Sequence, residues 1–156
     1  MKKLIKIFVL VLLFFIATCC GAKKLTKYSS VEDLFDVYMD GFKNADPDRM
    51  ISVYPDFAKD YFGKYVTKEN IQKSLDNFGD NIEMSIEVTR KDKLSNDELE
   101  SLNEEIKSTF TDYVLASECY LIKGNTHIKG SKTERDGTLD EMYYCNFNGT
   151  WRLIGD

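Results

Sequence analysis

Histidine is almost missing from this chain: His127 is the single example in 156 residues. No cluster of His, Cys, Asp and Glu stands at metal-ligand spacing, and neither a Gly-rich phosphate loop nor a nucleophile motif is present. No metal or other cofactor is therefore expected. Basic residues are outnumbered, 21 Lys and Arg against 26 Asp and Glu, for a formal charge of −5. That balance argues against nucleic acid, whose binding proteins neutralise phosphates with Lys and Arg. No apolar run reaches the ~20 residues of a spanning helix. Internal repeats and low-complexity tracts are also missing.

What the chain does have begins at its N-terminus. Lys2, Lys3 and Lys6 precede an unbroken apolar stretch over residues 7–17. A basic start, ~7–15 apolar residues and then small residues make a secretory leader. A core helix would instead show one apolar face, and Lys23 and Lys24 end the run too soon for a membrane span. The leader closes on Ile16-Ala17-Thr18-Cys19-Cys20-Gly21 rather than on an Ala-x-Ala triplet. This ending resembles the lipobox of bacterial lipoproteins: a branched apolar residue, two small residues, then the cysteine that takes a diacylglycerol. The resemblance makes Cys19 the lipidated residue, because Ile16 and Ala17 then fill the favoured places. Thr18 departs from the usual Gly or Ala, which leaves Cys20 as the alternative acceptor.

The implied organisation is a signal peptide over residues 1–18, a lipidated tether over 19–29 and one domain over 30–156. The implied location is the cell membrane, facing outside the cytoplasm. Two acyl chains anchor stably where one holds only marginally. From −5, losing Lys2, Lys3 and Lys6 with the leader leaves −8 on a mature chain of about 137 residues, one ordinary domain. Lys23, Lys24 and Lys27 sit beside the anchor, as contacts for anionic headgroups or simply as a solvated tether.

Helical signals follow. Ser29 with Glu32 fits a capping box, and Val31, Leu34, Phe35, Tyr38 and Phe42 repeat at helical spacing. Asp46 caps and Pro47 opens a second short helix. A third piece carries Phe57, Tyr61, Phe62 and Tyr65, and Thr67 caps a fourth with Ile71, Leu75 and Phe78 inward. The period then changes to two: Ile82, Met84, Ile86 and Val88 alternate with polar residues, as in a strand with one wet face. Ser95 with Glu98 opens another helix, whose acidic residues read as a solvated face. From Ser117 the chain is strand again. A loop over residues 130–137 and a strand over 139–147 lead to Asn148-Gly149, the signature of a type I′ hairpin turn, and a last strand over 150–154. The order is α+β: a curved antiparallel sheet of about four strands, with helices on one face.

Three features together carry a further resemblance: Lys43-Asn44-Ala45-Asp46 closing the first helix, Leu94-Ser95-Asn96-Asp97-Glu98-Leu99 opening the central one, and the ending Phe147-Asn148-Gly149-Thr150-Trp151-Arg152-Leu153. The chain resembles small secreted lipoproteins with a nuclear-transport-factor-2-like, or cystatin-like, domain, in which a curved sheet wraps helices into a cone. The resemblance implies a cone, with Tyr38, Tyr54, Tyr120, Tyr144 and Trp151 as its expected lining, but the fold implies no activity. By elimination, a tethered acidic domain with such a concave, Tyr-rich sheet is expected to bind a small ligand, a peptide or an envelope partner without catalysis. A large apolar patch outside the cone would favour a protein-interaction or immunity-type role without a ligand pocket. Relatives of isomerase or dehydratase type use a pocket Asp or His with a Tyr. Here Asp36 and Asp40 point away from the apolar face, and His127 lies opposite Tyr120, Ile122 and Ile128, which disfavours an enzyme. The remaining cysteines, Cys119 and Cys145, fall opposite each other in the register that also pairs Tyr120 with Tyr144 and Ile122 with Met142. A register built on a tight Asp136-Gly137 turn would separate them, but it breaks the apolar face that continues to Trp151 and Leu153. Directly opposed residues lie within disulfide reach, so they form a bridge or remain as two thiols on one strand face.

Overall fold

The computed structural model describes residues 30–155. The leader, both candidate lipidation sites Cys19 and Cys20, and the tether lie outside the described residues. Among the described residues no helix is long and apolar enough to cross a membrane.

Among the described residues, five α-helices and four strands make an α+β fold. Helix α1 spans Val31–Lys43, α2 Pro47–Ile51, α3 Lys59–Gly63, α4 Lys68–Phe78 and α5 Asn96–Thr109, with a 3-10 turn at Asp56–Ala58 before α3. Strands β1 (Glu83–Lys93), β2 (Glu118–Lys129), β3 (Glu134–Phe147) and β4 (Thr150–Ile154) form one antiparallel sheet in the order β1-β2-β3-β4. Local signals set most of the helix starts. Asp46 accepts from Arg49 N–H with Pro47 in the first turn, Thr67 accepts from Asn70 N–H, and Ser95 forms a capping box with Glu98. The first cap sits one residue later than the sequence pattern implies. Ser30 pairs with Asp33, and Val31, fully buried, becomes the first helical residue. Adjacent serines offer two equivalent boxes, and burial of Val31 selects the second.

Register follows apolar continuity. Cys119 faces Cys145, Tyr120 faces Tyr144 and Ile122 faces Met142. Beyond Ile122 the pairing shifts by one residue, and β1 carries its own irregularity between Val88 and Arg90. Both bulges flank the stretch around Lys123 and Gly124, so the sheet bends there. Gly124 permits the approach: a Cβ on it would lie 2.3 Å from the Glu87 carbonyl oxygen. At the far end of β3, Asn148 (φ 53°) and Gly149 (φ 83°) form the two-residue turn between Phe147 and Thr150.

Two further expectations change. Residues 130–137 do not form a loop: the turn occupies 130–133 and β3 already begins at Glu134. Both faces of this arm are exposed, so no alternation marks it as strand. Its turn is fixed to the end of α4, where Lys132 N–H donates to the Phe78 carbonyl and Ser131 N–H to the Asp80 carbonyl, each at 2.9 Å. Helices also cover both faces of the sheet rather than one. Alternate residues Ile122, Met142, Tyr144 and Leu153 pack on α1 through Val31, Leu34 and Phe35. The opposite face, with Cys119, Cys145, Phe147 and Ile154, packs on α5 through Leu102 and Ile106. A third cluster of Met50, Ile71 and Leu75 seats α4.

Candidate functional site

The aromatic residues expected to line a cone are largely core. Tyr144 and Tyr54 are only 3% and 6% exposed. Tyr54 stacks on Phe62 with ring centroids 3.9 Å apart, and Tyr144 stacks on Trp151 at 4.5 Å. Tyr38 is half-buried between the first and third clusters, and burial pushes its hydroxyl above the usual phenol range. Tyr120 donates its hydroxyl to Glu118 at 2.9 Å, which together with partial burial raises its pKa too. Lys91 supplies the cation over these rings, its Nζ 4.7 Å from the Tyr120 centroid and 4.6 Å from that of Tyr144. The structure thus brings Tyr120, Tyr144 and Trp151 together, but against the chain's own lysine and core. The space between sheet and α1 is filled by side chains of the fold.

The acidic candidates separate. Asp36 is exposed on α1, and Asp40 pairs with Arg49 at 2.6 Å. His127 stands on the β2–β3 arm with its Nδ1 2.8 Å from the carboxylate of Asp136, directly across the strand pair. Cys119 and Cys145 form a disulfide with Cα atoms 4.1 Å apart, fully buried beneath α5.

A different surface gathers open aromatic and polar groups. A groove of about 750 Å³ runs between the 3-10 turn with α3, the segment after α5, and the β3–β4 hairpin. Its apolar wall is a row of rings: Tyr61 meets Phe110 at 5.8 Å, Phe110 meets Phe57 at 5.2 Å and Phe57 meets Phe147 at 5.4 Å. Tyr65, outside the groove's lining, extends the row by meeting Tyr61 at 5.8 Å. The tilted, edge-on contacts suit the ring quadrupoles. The row runs from water to core: Tyr65 is 64% exposed, Tyr61 38% and Phe147 7%. Tyr113 and Leu115, on the segment after α5, are also open to solvent.

Local sequence explains this row. Within five-residue α3, Phe62 turns inward onto Tyr54 and leaves its neighbour Tyr61 on the outer side; Tyr65, four residues on, shares that side. Phe110 ends α5 in extended conformation, which swings the chain back over the rings. Asn103 secures that return, donating to the Ala116 carbonyl and accepting from its N–H.

The groove's rim is polar and of mixed sign. Asp56 is held below the usual carboxylate range by its hydrogen bond and charge contact with Lys59. Arg152 donates to the Trp151 carbonyl at 2.9 Å. Asp60, Lys64 and Asp112 line the groove with exposed side chains that make no hydrogen bond or ion pair among the described residues. Among the described residues no group of three His, Cys, Asp or Glu is placed to hold a metal.

The sequence pattern places Tyr61 on a short helical piece with Phe57, Phe62 and Tyr65 but misses the groove. Neither Phe110 nor Asp112 is marked by any motif. Thr111-Asp112-Tyr113, polar and aromatic between α5 and β2, is the one local hint. No known protein-family model, curated protein or solved structure matches this chain.

Proposed function

We propose that this chain is a lipoprotein held at the cell membrane through Cys19, facing outside the cytoplasm, and that it acts by binding a protein or peptide partner rather than by catalysis. The lipobox-like Ile16-Ala17-Thr18-Cys19 supports the anchor. The observation that carries the binding role is the aromatic row, rooted in the core at Phe147 and open to water at Tyr61 and Tyr65. Protein interfaces concentrate their energy in aromatic anchors at the centre of a polar rim. The groove has that composition, with Tyr61, Phe57 and Phe110 inside and Asp60, Lys64 and Asp112 around them. Rigid support lowers the ordering cost of binding, and Phe57 and Phe147 give the outer rings such support. A small ligand between sheet and helices has less support, since Leu34, Phe35, Ile122 and Tyr144 pack that space. An isomerase or dehydratase has less support for the same reason.

Hydroxyl-radical footprinting tests this reading. The protein in native membranes is compared with the purified mature chain, using His127 on the distant arm as an internal reference. Protection of Tyr61 and Tyr65 in membranes, relative to His127, is the expected result. Equal labelling of both tyrosines in the two preparations would overturn it.

A further inference from the structure

The turn beside the groove carries a reactive dipeptide. Asn148-Gly149 is the single Asn-Gly pair in the sequence. A glycine after asparagine leaves the backbone nitrogen without a Cβ to shield it, and this makes the pair prone to deamidation. In that reaction the Gly149 nitrogen bonds to Asn148 Cγ and the Cγ–Nδ2 bond breaks. Ammonia departs with the proton that the Gly149 nitrogen gives up. Water then opens the cyclic imide at either carbonyl, yielding aspartate or isoaspartate. No oxidant or other reagent is needed. Asn148 is exposed, so water reaches the side chain.

The fold nevertheless occupies the nucleophile. Gly149 N–H donates to Asn146 Oδ1 at 2.7 Å. The turn is also held from both sides, by pairing of Phe147 with Thr150 and of Asn146 with Trp151. Asn146 itself is anchored, because its carbonyl accepts from Ser117 N–H at 3.0 Å. We infer that Asn148 is a modification site gated by Asn146: the amide persists while Asn146 holds the Gly149 N–H, and deamidates when that hydrogen bond opens.

The product would matter where it forms. Isoaspartate adds a methylene to the main chain of a two-residue turn, so Phe147 and Thr150 lose their pairing. Phe147 is the buried foot of the aromatic row. Either product also places a new carboxylate on the groove's rim, which Asn148 lines. An irreversible change is thereby tied to opening of the hairpin, whether or not the groove takes the partner proposed above.

The experiment incubates the full mature chain at physiological pH and temperature. Isoaspartate is followed by enzymatic methylation, and the fragment containing Asn148 by mass spectrometry. Folded wild type is compared with wild type in urea and with N146A and N146D, after circular dichroism has established the folded fraction of each. The folded chain is expected to react at least about tenfold more slowly than the chain in urea. N146A, folded, is expected to react about fivefold faster than wild type, the factor one ordinary hydrogen bond represents. N146D keeps an acceptor oxygen and is expected to react no faster than wild type. Folded wild type reacting as fast as in urea would overturn the inference, as would folded N146A matching wild type. Should N146A not fold, N146D reacting as fast as the chain in urea while folded would overturn it equally.

Discussion

Removing the Cys119–Cys145 bridge is the perturbation whose size the structure sets most directly. The two residues are 26 apart in sequence and lie opposite each other on β2 and β3. A cross-link over a loop of that size removes chain entropy from the unfolded state worth about 3.5 kcal/mol at 25 °C. Both sulfurs are buried under Leu102 and Ile106, so a C119A/C145A double variant also gives up the sulfurs' packing on α5, a smaller loss than the cross-link. The expected cost is therefore about 3–4 kcal/mol, largely from the unfolded state. For a domain of this length that corresponds to a fall in Tm of roughly 10–20 °C. Urea melts of the oxidised chain, the same chain with reductant and the double variant should show the last two close together, both well below the first. The urea slope should rise in both, since an unlinked chain exposes more surface on unfolding. A midpoint shift below about 1 kcal/mol, with two free thiols labelled in the folded mature chain, would refute the reasoning.

Further outcomes follow from single sites. Gly124→Ala should destabilise by about 1–3 kcal/mol, because its Cβ meets the backbone oxygen of Glu87 at 2.3 Å and backbone cannot swing away. Gly63→Ala is the control, since its Cβ would meet only Ile51 Cδ1 at an ordinary 3.6 Å; equal urea midpoints for the two variants would contradict the account. Glu98 accepts from the Ser95 hydroxyl and from its backbone N–H, each at 2.7 Å, which holds the carboxyl below its ordinary value of 4.5. A depressed folded pKa means the contribution is full above 4.5 and lost as pH falls through the folded value. Ser95→Ala should move the Glu98 titration, followed by NMR, back toward 4.5; an unmoved titration would contradict the capping box as its cause. Cys19→Ser should abolish lipid labelling and release the chain from membranes, whereas retained label on Cys20 would reassign the anchor.

Legibility varied with how local the cause was. The Asp46, Thr67 and Ser95 caps and the Asn148-Gly149 turn depend on a few neighbouring residues, and each was readable from the sequence. The β2–β3 register was readable because pairing Cys119 with Cys145 keeps Tyr120, Ile122, Met142 and Tyr144 on one face, which a register built on an Asp136-Gly137 turn does not. Strand β1 runs on to Lys93, beyond what alternation indicates, because Arg90, Lys91 and Asp92 stay paired to β2 across the bulge. That extension is a tertiary effect with no local pattern. The coverage of both sheet faces was hidden for a similar reason: Cys119, Cys145 and Phe147 alternate with the first core's residues, and their partners, Leu102 and Ile106 of α5 and Phe57 of the 3-10 turn, come from distant stretches of chain. Expectation also placed Tyr54 and Tyr144 around a hollow. Spacing alone does not distinguish a ring that lines space from one that fills it. The groove depends on α3, the end of α5 and the final hairpin meeting in space, and no stretch of sequence contains all three.

The most direct test of the binding role is site-specific photocross-linking in intact cells, with the reactive group placed at Tyr61 and, as control, at Lys129 on the far arm. The account predicts one discrete, identifiable adduct from position 61, none from position 129, and loss of the adduct when Phe110 is replaced by alanine in a variant that still folds. The same adduct from both positions, or none from position 61 under conditions where the protein is correctly anchored, would contradict it.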